Sequence, residues 1–419
     1  MTTGMVRHLR FFQEYVMSVV RWSENGAPRS ARWRSENSTP APARVVVVDD
    51  ATTAKAAYRM AHGGTGLLWR GDFHNARQLL RAMDRLHERS RSARTRGRTS
   101  GSTRRDTVGS GTAALFHRHR AERAERARLL GSLLVLLEPD HTLALRRAPD
   151  VREAADHAYG TAGNGIDDGA DAQPDGDTGG TCVALTELVG VLSAYQWHRQ
   201  GVEIGALGER IHPAYGVFSP VRGEYVDLVA DAPFPGGDAP VVAFDLGTGT
   251  GVLAAVLARR GAGLVVATDI NPRAVACARA NLHRLGLAER ARVVEADLWP
   301  DGGADLIVCN PPWLPARPTS ALELGIYDAG SDLLHRFLDG LAEHLTPAGE
   351  GWLVLSDLAE HLGLRTRDEL LTRISDAGLR VAGRHDTNPQ HPRASDAADA
   401  LHEARRREVT SLWRLERYS

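Results

Sequence analysis

The sequence predicts an α/β protein of two domains, and three features indicate this fold class. The chain has 419 residues, which is enough for two hydrophobic cores. After Pro240, short apolar runs alternate with helical patterns, as expected for a parallel sheet that is covered by helices on both faces. A shorter β-α-β-α rhythm begins at Val45 and predicts a smaller α/β domain in front.

The front part of the chain is divided by its composition. Residues 1–43 are mixed and end in a Ser/Pro/Ala-rich stretch, so we expect a flexible tail with one helix near Phe11 to Trp22. Residues 44–160 form the predicted N-terminal α/β domain, and residues 161–180 read as an acidic, glycine-rich linker. The predicted strands are Val45 to Val48 and Thr65 to Trp69, and the predicted helices are Thr53 to Ala61, Asn75 to Leu86 and Ala113 to Leu137.

Arginine is concentrated in one stretch of this front domain. From Arg77 to Arg128 there are 15 arginines against 5 acidic residues. Its middle part, about 90–112, lacks apolar periodicity and is expected to be a disordered loop. The stretch could bind RNA phosphates by electrostatic attraction. It could equally be a solvated surface in an arginine-rich chain, since Lys55 is the only lysine.

Residues 181–419 are predicted to form the larger domain. An amphipathic helix is expected first, followed after Pro240 by regular alternation. The expected helices are Leu185 to Gly201, Val252 to Arg260, Pro272 to Leu285, Leu333 to Leu345 and Asp368 to Ala377. The expected strands are Val241 to Leu246, Leu264 to Thr268, Arg292 to Glu295, Leu306 to Cys309 and Gly351 to Ser356, with two more near Leu379 and Val409.

Composition excludes several classes of protein. Cys182, Cys277 and Cys309 are far apart and form no Cys-x-x-Cys pair, which argues against a disulfide framework or a metal site and favours a reducing cytoplasm. The longest apolar runs are far shorter than the ~20 residues that cross a bilayer, so no membrane partner is expected.

A glycine-rich turn follows the strand that ends at Leu246. Asp245, Gly247, Gly249 and Gly251 alternate with other residues just before a predicted helix. Glycines at such a turn let the backbone bend tightly and approach a ligand closely. The spacing differs from the dinucleotide fingerprint, and no lysine follows as in a phosphate-binding loop. The motif therefore predicts a binding turn for a different cofactor.

Two acidic residues follow the next two strands. Asp269 comes 18 residues after Gly251, at a strand end, where a carboxylate can accept two hydrogen bonds from ribose hydroxyls. Asp297 follows the third strand, where a carboxylate can accept a hydrogen bond from an adenine amino group. Both residues are therefore predicted to bind the nucleoside part of the cofactor.

Asn310, Pro311, Pro312 and Trp313 end the fourth strand and form the predicted catalytic motif. The lone pair of an amide, or of an amino group on a ring, is delocalised and therefore a poor nucleophile. The Asn310 side-chain oxygen and a nearby backbone carbonyl can accept its two N–H hydrogens and orient the nitrogen. The prolines restrict the loop, and Trp313 offers a flat face for stacking.

These motifs resemble the class I S-adenosylmethionine (SAM)-dependent methyltransferases, in the group of small-subunit rRNA guanine-N2 and HemK-like glutamine N5 methyltransferases. The resemblance covers residues 241–357 and a lead-in at 212–230, with a Gly-Val-Phe-Ser segment at Phe218. It implies a Rossmann-like seven-stranded sheet, SAM as cofactor and no metal. It also implies that Phe218 and Arg222 lie over the methionine end of SAM, and that Asn310 borders the cofactor. Members of the group mostly carry Tyr or Phe where this chain has Trp313.

The sequence leaves the substrate open. A base amino group of ribosomal RNA is favoured by the Phe218 segment, the Asn310 motif and the arginine-rich stretch. A glutamine side chain of a protein partner and a small-molecule amine are the alternatives. A SAM-binding sensor without activity is a fourth interpretation, which the intact Asn310 motif disfavours.

Overall fold

The computed structural model describes residues 18–99, 111–162, 177–320, 322–389 and 399–418. The chain divides into two compact units, each considered by itself below. The first consists of Met1–Gly109 with Arg118–Tyr195, and the second of Ser110–His117 with Gln196–Ser419.

The first unit is built on a six-stranded sheet with the order β1-β2-β6-β5-β4-β3. Strands β3, β4 and β5 are parallel to one another, whereas β6 is antiparallel to β5. The strands are β1 (Val19–Glu24), β2 (Ala27–Trp33), β3 (Val45–Val48), β4 (Gly66–Trp69), β5 (Leu133–Leu137) and β6 (Asp177–Ala184). The helices are α1 (Ala54–His62), α2 (Phe73–Thr99), α3 (Thr112–Leu130), α4 (Arg152–Tyr159) and α5 (Leu185–Gln200).

The prediction of a flexible tail over residues 1–43 is wrong for its described part. Residues 19–33 form the hairpin of β1 and β2, so Trp22 lies in a strand and not in a helix. Val20 and Trp22 alternate with exposed residues and are buried, and Asn25 and Gly26 adopt the positive φ angles that a tight hairpin turn requires. Residues 1–17 lie outside the described residues.

The prediction of a disordered loop over 90–112 is also wrong for residues 90–99. Helix α2 continues to Thr99, and α3 already begins at Thr112. Arginine is a good helix former, and an ion pair between Arg91 and Glu122 joins the two helices. Residues 100–110 lie outside the described residues.

The predicted helix from Ala113 to Leu137 is two elements. Helix α3 ends at Leu130, a turn follows at Gly131, and Leu133–Leu137 form the buried strand β5. A short run of five buried apolar residues fits an interior strand as well as a helix, which is why periodicity could not separate the two.

The last residues of the linker predicted at 161–180 belong to a strand. Asp177 begins β6, which pairs with β2 and β5 inside the first unit. The unit boundary therefore falls between Tyr195 and Gln196 rather than at residue 181. Residues 163–176 lie outside the described part of the chain.

The second unit contains the predicted Rossmann-like seven-stranded sheet, which is confirmed, with the order β11-β10-β9-β12-β13-β15-β14. Only β15 runs antiparallel to its neighbours in this sheet. The strands of the unit are β7 (Val202–Ile204), β8 (Glu209–Ile211), β9 (Val242–Leu246), β10 (Leu264–Asp269), β11 (Ala291–Glu295), β12 (Ala304–Cys309), β13 (Leu345–Ser356), β14 (Leu379–Thr387) and β15 (Thr410–Arg417). The helices are α6 (Glu224–Asp231), α7 (Val252–Arg259), α8 (Pro272–Arg284), α9 (Asp332–His344), α10 (Leu358–His361), α11 (Arg367–Asp376) and α12 (His402–Arg406).

Two apolar clusters cover the faces of this sheet. One includes helix α7, of which all residues but the last are buried, and the other includes Phe337 and Leu341 of helix α9. Apolar burial on both faces holds the central strands β9 and β12 in place, and their carboxyl ends carry the predicted motifs.

Candidate active site

The predicted motif residues meet at one edge of the seven-stranded sheet. Leu246, at the end of β9, pairs with Thr268 of β10 on one side and with Cys309 of β12 on the other. Since neighbouring strands lie ~4.8 Å apart, the residues that follow these three are adjacent. Gly247, Asp269 and Asn310 are therefore next to one another at the carboxyl edge of the sheet.

The glycine turn is open on the side where a ligand would approach. Gly247 and Gly249 have φ angles of +71° and +56°, and a Cβ at either position would meet nothing within 4 Å. Gly251 differs, because a Cβ there would lie 3.1 Å from Cα and Cβ of Ala278 in α8. Gly251 is therefore needed for packing and its backbone angle, and the other two leave space above the turn.

Asp245 organises the turn from below. Its Oδ2 atom accepts hydrogen bonds from the Thr248 hydroxyl at 2.6 Å and from the Ala254 backbone N–H at 2.9 Å. The side chain is buried, and burial raises the pKa of its carboxyl to about 6. Asp245 thus ties the strand, the turn and the first turn of α7 together.

Asp245 should make stability depend on pH. Its pKa is about 6 in the folded protein, against ~3.9 for an unfolded aspartate, so the folded state holds the proton more tightly. The stabilising contribution is complete below pH ~4 and is lost as the pH rises through 6, a change of about 3 kcal/mol. An asparagine at this position cannot titrate, so the Asp245→Asn variant should lack this loss of stability. Urea denaturation at pH 4 and pH 7 measures the free energy of unfolding, and its decrease should be about 3 kcal/mol smaller in the variant than in the wild type.

The matched control is Asp376→Asn, an exposed aspartate at the end of α11. Its unfolding free energies should follow the wild-type curve at every pH. A parallel curve for Asp245→Asn as well would show that the Asp245 carboxyl does not titrate in this range.

Asp269 closes the turn from the neighbouring strand. One carboxylate oxygen accepts a hydrogen bond from the Gly249 N–H at 2.9 Å, and the other accepts one from the Asn271 N–H at 2.9 Å. Burial raises the pKa of this carboxyl. Each carboxylate oxygen can accept a further hydrogen bond, so acceptors remain for a diol above the turn.

Asp297 lies near the same edge because both of its chain neighbours form hydrogen bonds with β10. The Ala296 N–H donates to the Asp269 carbonyl, and the Thr268 hydroxyl donates to the Leu298 carbonyl. The Asp297 carboxylate itself is half exposed and forms an ion pair with Arg336 at 2.9 Å. Its assignment to the adenine amino group stays a prediction.

The side-chain oxygen of Asn310 already has one partner. It accepts a hydrogen bond from the Trp313 indole N–H at 2.9 Å. Pro311 and Pro312 lie between the two residues, and Pro311 is buried. The sequence analysis did not include this contact, which uses one of the two lone pairs of the Asn310 oxygen within the loop.

Arg222 of the lead-in segment lies beside the same loop. Its guanidinium is 5.2 Å from the centre of the Trp313 ring and binds both carboxylate oxygens of Glu408, at 3.1 and 3.2 Å. Phe218, four residues earlier, packs against Gly325, where a Cβ would come within 2.8 Å of the Phe218 Cβ. That Phe218 and Arg222 touch SAM stays a prediction.

Sequence reasoning missed Glu408. Its side chain is fully buried and also accepts a hydrogen bond from the Ser356 hydroxyl at 2.7 Å. It lies 186 residues from Arg222 in the chain, and no local motif marks it. A fully buried acidic side chain needs a cation, and Arg222 provides it.

Features of a metal site and of a membrane span are absent from the described residues. They contain no group of three or more His, Cys, Asp or Glu side chains that could hold a metal ion. None of the described helices combines the length and the apolar character needed to cross a membrane.

Comparisons with known proteins identify the domain that carries this site. Residues 238–371 match the family model of the methyltransferase small domain. A ribosomal protein L11 methyltransferase of Pelotomaculum thermopropionicum is 47% identical over 78 residues, covering 18% of this chain and 24% of that protein. A release factor glutamine methyltransferase of Gloeobacter violaceus is 32% identical over 155 residues, covering 33% and 54%. This chain thus spans about a quarter and about half of the two relatives.

Among solved structures, the ribosomal protein L11 methylase of Lactobacillus delbrueckii subsp. bulgaricus is 18% identical, with a TM-score of 0.34, covering 51% of this chain and 87% of that one. The glycine turn, Asp269 and the Asn310 motif are the features predicted for a class I SAM-dependent methyltransferase domain, and the comparisons support that class. These three features lie within residues 238–371, the part of the chain that matches the methyltransferase small domain.

The residues of the site fit SAM. The space above Gly247 and Gly249 allows a ligand to approach the backbone, and Asp269 offers carboxylate oxygens at the position expected for ribose hydroxyls. Asp245 is a buried carboxylate, and a cationic ligand end above the turn would favour its ionised form. The charge and the shape of the edge thus suit a cationic nucleoside.

Proposed function

We propose that this protein is a SAM-dependent N-methyltransferase that modifies a planar nitrogen, most specifically a base amino group of ribosomal RNA. The observation that carries the proposal is the position of Asn310, which follows β12 directly beside the glycine turn that follows β9. When bound, SAM supplies an electrophilic methyl group. The activity is proposed for the cytoplasm, in line with three free, buried cysteines.

The chain's own residues would act mainly by positioning. Asn310 Oδ1 keeps one lone pair that can accept a substrate N–H, and a backbone carbonyl of the loop can accept a second. Accepting these hydrogens orients the nitrogen and favours the positive charge that develops on it. Trp313 is partly buried and can offer its remaining face to a planar group. The proton of the methylated nitrogen passes to water after the bond to carbon has formed.

The arginines of helix α2 support RNA as the substrate class. Arg77, Arg81, Arg85 and Arg89 recur at every fourth position and are exposed, and no described residue forms an ion pair with any of them. A four-residue step is ~6 Å along a helix, so the four guanidiniums form a stripe about 18 Å long. The opposite side of the helix is apolar and buried at Ala76, Leu79 and Met83. A stripe of cations without ion-pair partners among the described residues suits a phosphate backbone.

Neutralising this stripe should weaken RNA binding and its dependence on salt. Replacement of all four arginines by glutamine should lower affinity for structured ribosomal RNA about 10- to 100-fold at moderate salt, and reduce the slope of log K against log salt by ~3–4. Fluorescence anisotropy with a labelled RNA fragment at several salt concentrations measures both quantities.

The control removes equal charge from scattered positions. Arg59, Arg259, Arg290 and Arg292 are exposed and have no described ion-pair partner. Their combined replacement by glutamine should leave the slope nearly unchanged. If both variants weaken binding equally, overall charge rather than the stripe attracts RNA, and the assignment of the stripe is wrong.

A protein glutamine side chain is the second candidate. It is favoured by the relatives, since the Gloeobacter violaceus protein is named for release factor glutamine methylation and the Pelotomaculum thermopropionicum protein for ribosomal protein L11. An amide nitrogen is planar as well, so the Asn310 loop suits both substrates. The arginine stripe favours RNA, because a glutamine target gives no reason for a row of cations that have no ion-pair partner among the described residues.

Tritiated SAM and an extract of cells that lack this protein would test the two candidates together. After incubation with the purified full chain, the label is measured in RNA digested to nucleosides and in protein digested to amino acids. Label in ribosomal nucleosides that falls with the stripe variant supports the proposal. Label in methylglutamine would show that the substrate is a protein glutamine, the second candidate, and not RNA. No label above an Asn310→Ala blank in any fraction would refute the proposed activity.

A further inference from the structure

The orientation of the Asn310 amide is fixed by Trp313. The indole nitrogen carries a hydrogen and can only donate, so the Asn310 atom 2.9 Å away must be the amide oxygen. The contact therefore decides which end of the amide is the oxygen and which is the NH2 group. A phenylalanine ring at position 313 could stack in the same way but could not make this contact.

Orientation matters because the two ends of an amide have opposite hydrogen-bonding roles. An amide rotated by 180° would present N–H groups to a substrate nitrogen that itself carries N–H groups. Such an arrangement has no acceptor for the substrate hydrogens and leaves the nitrogen unoriented. An unrestrained Asn310 would divide its time between a productive and an unproductive state.

Trp313 is in turn held by charged residues on its ring face. The Arg222 guanidinium lies 5.2 Å from the ring centre, within the range of a cation–π contact. Glu408 binds that guanidinium through both oxygens and is itself fixed by Ser356. The Arg222 side chain is only 16% exposed, so the pair is shielded from solvent. The indole therefore has little freedom to turn away from Asn310.

We propose that Trp313 is a positioning residue that locks the Asn310 amide with its oxygen toward the substrate nitrogen, and that Arg222 and Glu408 hold Trp313 in this role. This inference rests on the proposed methyl transfer and deepens it. The Asn310 oxygen is thus preorganised to accept a substrate N–H before any substrate binds.

A double-mutant cycle tests the proposal in the full chain. Trp313→Phe keeps an aromatic face but removes the donor, and it should lower the single-turnover rate about tenfold, the value of one hydrogen bond, with a smaller change in KM. Asn310→Asp makes both terminal atoms acceptors, so orientation no longer matters. In that background, Trp313→Phe should cost less than about twofold. An equal loss in both backgrounds would show that Trp313 only packs, and would overturn the proposal.

The rate measurements use tritiated SAM and total ribosomal RNA from cells lacking the protein. Arg222→Gln should lower the single-turnover rate about two- to fivefold, because Trp313 is then held less firmly beside Asn310. Arg384→Gln is its control, since Arg384 lies 5.0 Å from the ring centre of Trp413, away from the Asn310 loop, and its loss should not change the rate. A rate loss with Arg384→Gln as large as with Arg222→Gln would contradict the role of Arg222.

A second measurement does not need methyl transfer. The chain has eight tryptophans, and the indole resonance of Trp313 in a 15N-labelled sample is the one that Trp313→Phe removes. Asn310→Ala should shift that resonance upfield and speed its exchange with solvent, because the acceptor is gone. An unchanged resonance would overturn the proposal even if the enzyme is active. A changed resonance in a protein without any methyl transfer would support the contact and count against the proposed function alone.

Discussion

Asn310→Ala should reduce methyl transfer by about 10²- to 10³-fold or more while SAM affinity stays within about threefold. A large loss is expected because, in the proposed mechanism, the Asn310 oxygen is the side-chain acceptor that orients the substrate nitrogen, and this interaction strengthens as positive charge develops. The groups proposed to bind SAM are Gly247 to Gly251, which follow β9, and Asp269 at the end of β10, and both remain intact in this variant. Single-turnover rates and calorimetric titration with SAM measure the two effects.

The matched control is Asn388→Ala, which removes an exposed amide near the end of the described segment after β14. It should change neither rate nor SAM affinity. If Asn310→Ala loses SAM binding as well as turnover, Asn310 supports the cofactor site, and its assignment to the substrate nitrogen is wrong.

Asp269→Asn should raise the dissociation constant of SAM about 100-fold. The carboxylate accepts from the backbone of Gly249 and Asn271 and has acceptors left for two ribose hydroxyls. An uncharged amide loses one acceptor and the strength of charge-assisted bonds, ~3 kcal/mol over two contacts. That free energy corresponds to a factor of about 100 in affinity. Isothermal titration with SAM measures the change.

Asp368→Asn provides the comparison, since Asp368 is an exposed aspartate of the same unit in the first turn of α11. Its SAM affinity should equal that of the wild type. If Asp269→Asn has the same melting temperature as the wild type, its weaker SAM binding is not caused by unfolding. Undiminished SAM binding by Asp269→Asn would exclude Asp269 from the ribose site.

The parts of the fold that could be predicted are those with strong local signals. The strand at Val45 to Val48 agrees residue for residue, and the helix after Asn271 begins at Pro272 with the Asn271 side chain as its cap. That Gly247, Asp269 and Asn310 lie at one edge of the sheet was also predictable, because each stands at or just after the end of a parallel strand. Glycines, prolines and strand ends are local features that one sequence is enough to show.

The parts that could not be predicted depend on distant contacts. The hairpin at residues 19–33 owes its burial to a sheet that also contains Cys182. The separation of α3 from β5 depends on tertiary burial of a short apolar run, which has no period of its own. The ion pair of Arg222 with Glu408 joins segments 186 residues apart, and its partners are ordinary charged residues when seen in sequence.

The reversed strand β15 sets an order of assembly. Strand β14 is synthesised first, but it contacts the sheet only through β15, which lies between β13 and β14. The chain must therefore emerge from the ribosome as far as Arg417 before β14 can join the sheet. Pairing between strands that are distant in sequence slows folding. Glu408 lies two residues before β15, so its ion pair with Arg222 forms at the same late stage. Nascent chains would form the strands that carry the glycine turn, Asp269 and Asn310 early, and would acquire the contact between Arg222 and Glu408 only after residue 408 has left the ribosome.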